Sequence, residues 1–142
     1  MRVMVIVKAT EASEVGGMPP AELLADMGAF NQSLIDAGVF VDAGGLKESV
    51  KGARVAFSGK DRTVTQGPFP NVAELAAGYW IWKVKDLDEA IEWVKRCPNP
   101  MPGPSVIEIR EMFEMGDFTW TPVGRRPRRL RSSISDSAGA VV

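Results

Sequence analysis

The chain has no histidine, which removes the commonest general base and the commonest metal ligand together. A Ser-His or Cys-His nucleophile pair and a His-based zinc site are excluded. The single cysteine, Cys97, excludes a multi-thiolate site. The chemistry left belongs to carboxylates, guanidinium groups and amides. Glu108 and Arg110 stand two apart in an alternating run, so they share one face of a strand. With Arg54 and Glu74 they could line a cleft in which arginine grips a carboxylate or phosphate in bidentate fashion. The alternative for Glu108 and Arg110 is a cross-strand ion pair at a subunit seam. If proton transfer occurs, Glu74 or Glu108 supplies the base and arginine the anion clamp. No metal or organic cofactor is implied.

The other candidates each have two readings. Gly67-Pro68-Phe69 is either a ligand-facing loop or a rigid turn that plugs Phe69 into the core. In the first case the flanking Gln66 and Asn71 bind rather than react, because an amide cannot carry a proton as an acid or base. Asn31 interrupts an apolar helix face and is either hydrogen-bonded in the core or turned into a pocket. Tyr79, Trp80 and Trp82 could stack on an aromatic ligand, and core or interface packing is the competing role. Cys97 follows Arg96 at the end of a helix, where the dipole raises a thiol pKa, so it reads as structural. The candidate ligand-binding set is Asn31, Arg54, Gln66, Phe69, Glu74, Glu108 and Arg110.

These residues sit in a chain of 142, the size of one domain, with 45% hydrophobic and 25% charged residues. Such values exclude wholesale disorder. The net charge of −1 gives no global pull toward nucleic acid or an anionic membrane. The charge is uneven, however. Five arginines (Arg125, Arg126, Arg128, Arg129, Arg131) and one acid, Asp136, give residues 121–142 a charge of +4 and leave −5 on residues 1–120. This divides the chain into a folded domain, 1–120, and a flexible Arg-rich tail, 121–142. Nucleic-acid binding rests on that tail alone, and no aromatic is interleaved with its arginines for base stacking. The apolar run Met1–Lys8 is too short for a membrane span and lacks a signal-peptide cleavage site, so no membrane association and a cytoplasmic location are expected.

Several elements must position the candidates. Val3–Val7 is a β-branched run that reads as a buried strand, and Thr10–Met18 reads as a loop. Pro19-Pro20 opens a helix in which Leu23, Met27, Phe30 and Leu34 recur at helical spacing, and Gly38 suits its left-handed end. Val39–Ala43 is a second strand. Arg54–Phe57 and Thr63–Val64 flank Ser58-Gly59-Lys60-Asp61 as a β-hairpin. Gly78–Val84 is an aromatic, β-branched strand. Asp86 and Glu89 have capping-box spacing at the start of a helix with Leu87, Ala90, Ile91 and Val94 as its buried stripe, stopped by Pro98. Ser105–Phe113 is the last strand. Two β-α-β units in tandem predict a ferredoxin-like α+β domain, an antiparallel sheet with both helices on one face and an inserted hairpin. Apolar residues on both faces of the Gly78–Val84 strand predict that a second subunit covers the open face.

Residues 64–98 read VTQGPFPNVAELAAGYWIWKVKDLDEAIEWVKRCP. This stretch resembles the DGPF-motif branch of the YCII-related family, most specifically from Gly78 to Pro98. Gly28-Ala29-Phe30-Asn31, Ala43-Gly44-Gly45-Leu46, Gly52-Ala53-Arg54-Val55 and Ile107-Glu108-Ile109-Arg110 are similar to that family as well. The resemblance implies a ferredoxin-like domain paired with a second copy in a dimeric α/β barrel that encloses a polar cleft. It implies no particular reaction. Where the family motif begins with aspartate, this chain has Gln66. Where the family commonly continues Ala-Glu-Thr-Lys-Glu, this chain has Pro70-Asn71-Val72-Ala73-Glu74. Two carboxylates and a lysine are absent, and only Glu74 remains. Two functional expectations follow. One is a homodimer, enzymatic or not, that binds a small polar or anionic metabolite. The other is a non-catalytic dimeric interaction module whose basic tail contacts a partner.

Overall fold

A computed structural model describes residues 1–118 of the chain. The Arg-rich tail and the boundary expected at residue 120 lie outside the described residues. Six strands and three α-helices follow in the order β1 (Arg2–Lys8), α1 (Glu11–Val15), α2 (Ala21–Asp36), β2 (Phe40–Gly45), β3 (Ala53–Ser58), β4 (Asp61–Gln66), β5 (Ala76–Lys83), α3 (Leu87–Lys95) and β6 (Ile107–Glu111). Strands β2, β5, β1 and β6 form one antiparallel sheet in that order, and β3 pairs with β4 in a separate two-stranded sheet. This α+β topology is compatible with the expected ferredoxin-like arrangement, with the hairpin inserted between β2 and β5.

Alternation along the strands sends Val3, Val5 and Val7 of β1 and Trp80 and Trp82 of β5 to the same face. There they meet Phe30 and Leu34 from α2 and Ala90 and Trp93 from α3, so both long helices cover one side of the sheet. Phe30 is the hub. Its ring stands edge-on to Trp80, Trp82 and Trp93 at centroid distances of 6.0, 6.2 and 6.4 Å. Full burial of a side chain such as Leu34 contributes about 1.5–3 kcal/mol.

The open side of β5 is buried too: Tyr79 is 7% and Ile81 3% exposed. Ile6 and Met4 flank them from β1, and Gly44 and Asp42 from β2. The tyrosine ring lies so close across β2 that a Cβ on Gly44 would sit 2.7 Å from Tyr79 Cε1. Both faces of β5 are thus buried within one chain, without the second subunit expected to cover the open one. Ala53, Val55, Phe57, Arg62, Val64 and Gln66 share one hairpin face, with Val55, Phe57 and Val64 50%, 72% and 59% exposed and the Arg62 guanidinium 4.3 Å over the Phe57 ring. Arg54, Ala56, Thr63 and Thr65 share the other.

Three local expectations need correction. Thr10–Met18 contains a helix rather than a loop throughout. Thr10 Oγ1 accepts from Ser13 N–H (3.3 Å), Ser13 Oγ accepts from Thr10 N–H (2.9 Å), and Gly16 and Gly17 at φ 86° and 102° end the turn. A serine at the third helical position hides this cap from a search for Glu or Gln. At α3, Asp86 Oδ1 accepts from Glu89 N–H (2.8 Å), but the Glu89 carboxylate turns to Lys85 N–H (2.8 Å) and Trp93 Nε1–H (3.4 Å) instead of closing the box on Asp86. The buried stripe of α3 is correspondingly rotated: Trp93 is buried beside Ala90, while Leu87 is exposed.

Candidate functional site

Three segments remote in sequence meet at the root of the hairpin: Glu14 of α1, the 3-10 turn Ser49–Lys51, and the loop Gly67–Phe69. Glu14 Oε1 accepts from the Ser49 N–H at 2.9 Å, and the Ser49 hydroxyl donates to Glu14 Oε2. The same Ser49 oxygen accepts from the Phe69 N–H at 3.0 Å. Gly67 N–H donates to Gly52 O at 2.9 Å, and a Cβ at Gly67 would lie 1.8 Å from the Ser49 carbonyl oxygen. Only glycine fits there. The Gly67–Pro68 peptide is cis, and Asn71 is left-handed at φ 47°. The loop is therefore held in place, with Phe69 half-buried at its end.

Arg54 projects from β3 over this loop, its guanidinium carbon 4.0 Å from the centre of the Phe69 ring. Such stacking occupies the flat face of the guanidinium and leaves its in-plane N–H donors for an anion. Arg54 has no acidic partner among the described residues. Ser49 is poorly suited to act as a nucleophile. Its proton is held by a carboxylate, a weaker base than imidazole, and its oxygen already accepts from Phe69 N–H. Glu14 and Ser49 position the ring, and the ring positions Arg54.

The other expected site residues are dispersed. Gln66, exposed, pairs with Ala53 at the end of β4 next to the loop. Glu74 is exposed and accepts from Asn71 Nδ2–H at 3.4 Å. Asn31 Oδ1 accepts from Trp80 Nε1–H at 2.8 Å on the helix-covered face, the hydrogen bond that the core-bonded reading expects. Glu108 and Arg110 form an ion pair of 3.3 Å along one strand, not across two, on the opposite face of the sheet. Within one chain the structure brings Arg54 and Phe69 together; Gln66 lies on the hairpin face opposite Arg54, and Asn31, Glu108 and Arg110 belong to the four-stranded sheet and its helix layer. Sequence reasoning missed Glu14 and Ser49. The signal for Glu14 was the Thr10–Ser13 cap followed by Gly16-Gly17, and nothing local marks Ser49.

Two further groups have altered proton affinity. Burial, aided by Asp42, whose carboxylate accepts from the Tyr79 hydroxyl at 3.4 Å, raises the Tyr79 pKa above its ordinary 10.0 and keeps it a donor. Burial pushes the Cys97 thiol up to about 11, in keeping with a structural role. Among the described residues no cluster of three or more Cys, Asp or Glu side chains could hold a metal ion, and no helix is long and apolar enough to cross a membrane.

Comparison with curated proteins finds no match. A family model does match, and it spans α1, the Ser49 turn, the hairpin and the Phe69 loop that together build this site. With the model for the YCII-related domain covering residues 1–116, the chain belongs to the YCII-related domain family.

Proposed function

We propose that the chain binds a small polar or anionic metabolite at the root of its β3–β4 arm. The observation that carries this reading is Arg54: a guanidinium stacked 4.0 Å over Phe69 with no acidic partner among the described residues. A carboxylate or phosphate supplies what that group lacks, in the bidentate geometry arginine favours. Within the family we assign the chain to the DGPF-motif branch on Gly67-Pro68-Phe69. Gln66 stands in place of an acid there, so this position supplies no group for proton transfer. The reading assigns no reaction, since Glu74 is exposed beside Asn71 and Glu108 is engaged by Arg110.

The working unit in this reading is a homodimer, the α/β barrel that the resemblance implies. The hairpin supports it. A lone two-stranded hairpin is marginal in water, and this one turns Val55, Phe57 and Val64 to solvent beside Arg62. It carries Arg54, Lys60 and Arg62 against one acid, Asp61, whereas residues 1–120 as a whole are at −5, so a second copy offers a complementary charge. The same face supports the second reading, an interaction module whose only role is pairing.

A thermal-shift screen of small carboxylates and phosphates on wild type and Arg54→Gln separates the two. A stabilising anion that loses its effect in the variant supports the binding site. Stabilisation by no anion favours the interaction module.

A further inference from the structure

The helix layer carries a groove that does not include Arg54. A groove of about 500 Å³ opens between α2 and α3, with buried Phe30 and Trp93 as its floor and exposed Asp26, Ser33 and Arg96 at its rim. Its floor is held in place. Trp93 Nε1–H donates to Glu89 Oε2 at 3.4 Å, and the Phe30 ring packs edge-on at a centroid distance of 6.4 Å. The Arg96 guanidinium lies 4.2 Å over the Trp93 ring while its Nε–H donates to the Glu92 carbonyl at 3.4 Å.

The rim has a charge pattern that the fold does not use. Asp26 has no hydrogen-bond or ion-pair partner among the described residues, and Arg96 has no acidic one. They line one groove yet do not pair with each other. The Ser33 hydroxyl donates to the Phe30 carbonyl at 2.6 Å, which leaves its oxygen free to accept. An anion alone would meet the Asp26 carboxylate, and a cation alone would meet Arg96. A molecule carrying both charges on an apolar body satisfies both ends and covers the aromatic floor.

We propose that this groove binds a zwitterion of the amino-acid class with an aromatic or branched aliphatic side chain. The ammonium faces Asp26 and Ser33, the carboxylate faces the in-plane donors of Arg96, and the side chain rests on Phe30 and Trp93. The site is open, so affinity is weak and specificity comes from the paired charges.

The test is a backbone and indole amide NMR titration of the full chain with L-phenylalanine, 2-phenylethylamine and 3-phenylpropionate. L-Phenylalanine is expected to shift the Ala29, Ser33 and Trp93 signals, and each singly charged analogue to bind about tenfold more weakly. Arg96→Gln and Asp26→Asn, both surface changes, are expected to weaken L-phenylalanine to the level of the matching analogue. Arg54→Gln leaves this titration unchanged, which keeps it distinct from the anion site. The absence of shifts at those three positions, equal binding of all three probes, or undiminished binding by Arg96→Gln overturns the proposal.

Discussion

The Phe69 N–H donates a 3.0 Å hydrogen bond to Ser49 Oγ, and that bond ties the loop carrying the aromatic ring to the turn that Glu14 holds. Loop, turn and α1 are far apart in sequence, so the position of Arg54 above the ring depends on contacts that no single segment makes alone. Perturbing any one of them should be felt at the others.

Gly67 is the most sensitive point. Its substitution by alanine sets a Cβ against the Ser49 carbonyl oxygen, a backbone atom that cannot rotate away. Gly67→Ala is expected to destabilise the domain by about 1–3 kcal/mol, as overpacking does, and to abolish anion binding. Urea unfolding gives the first quantity and calorimetric titration the second.

Asn31 works in the core. Asn31→Ala leaves the Trp80 Nε1–H without its 2.8 Å acceptor on a buried ring, a loss of about 1–3 kcal/mol. Because Asn31 lies on the helix-covered face, anion affinity at Arg54 is expected to stay unchanged in the same variant. Chemical denaturation paired with a binding titration checks both parts.

Much of this was legible in the sequence, for identifiable reasons. Val3–Val7 and the Phe30–Leu34 stripe announce themselves by spacing alone, because burial imposes periods of two and of three to four residues. The hairpin around Ser58-Gly59 follows from turn chemistry, and Gly59 indeed adopts a left-handed φ of 56°. Arg54 and Phe69 are both candidates by residue type, but nothing in their spacing says that they touch. That contact depends on Glu14 and Ser49, which look like ordinary surface residues until the chain is folded. Asn31, Glu108 and Arg110 join Arg54 and Phe69 in a sequence reading because spacing shows which residues share a face of a helix or strand, but not what that face meets.

Phe57 is expected to control assembly. Wild type should run as a dimer by light scattering, and Phe57→Glu, which places a charge on the exposed face of the hairpin, should run as a monomer with unchanged circular dichroism. A monomeric wild type, or a variant that still pairs, would remove the hairpin from the interface.

Cys97 gives a pH dependence with a definite sign. Its thiol is held at about 11 when folded, against an ordinary 9.0 in the unfolded chain, so the native state retains a proton that the unfolded state releases. The contribution is fully present below pH 9 and falls away as the pH rises toward 11. Urea midpoints across that range should decline in wild type and decline less in Cys97→Ala. The thiol itself should resist alkylation at neutral pH until the chain is unfolded.

In the proposed site Arg54, set by Phe69, is the anion-recognising group. The most direct measurement is the melting temperature against a panel of small carboxylates and phosphates for wild type, Arg54→Gln and Arg110→Gln. An anion at a hundred times its dissociation constant stabilises by about 2.7 kcal/mol, a shift of several degrees. The site described here requires that shift in wild type and in Arg110→Gln, and its loss in Arg54→Gln. A shift that survives Arg54→Gln, or that disappears only in Arg110→Gln, would contradict it and move anion recognition to the open face of the sheet.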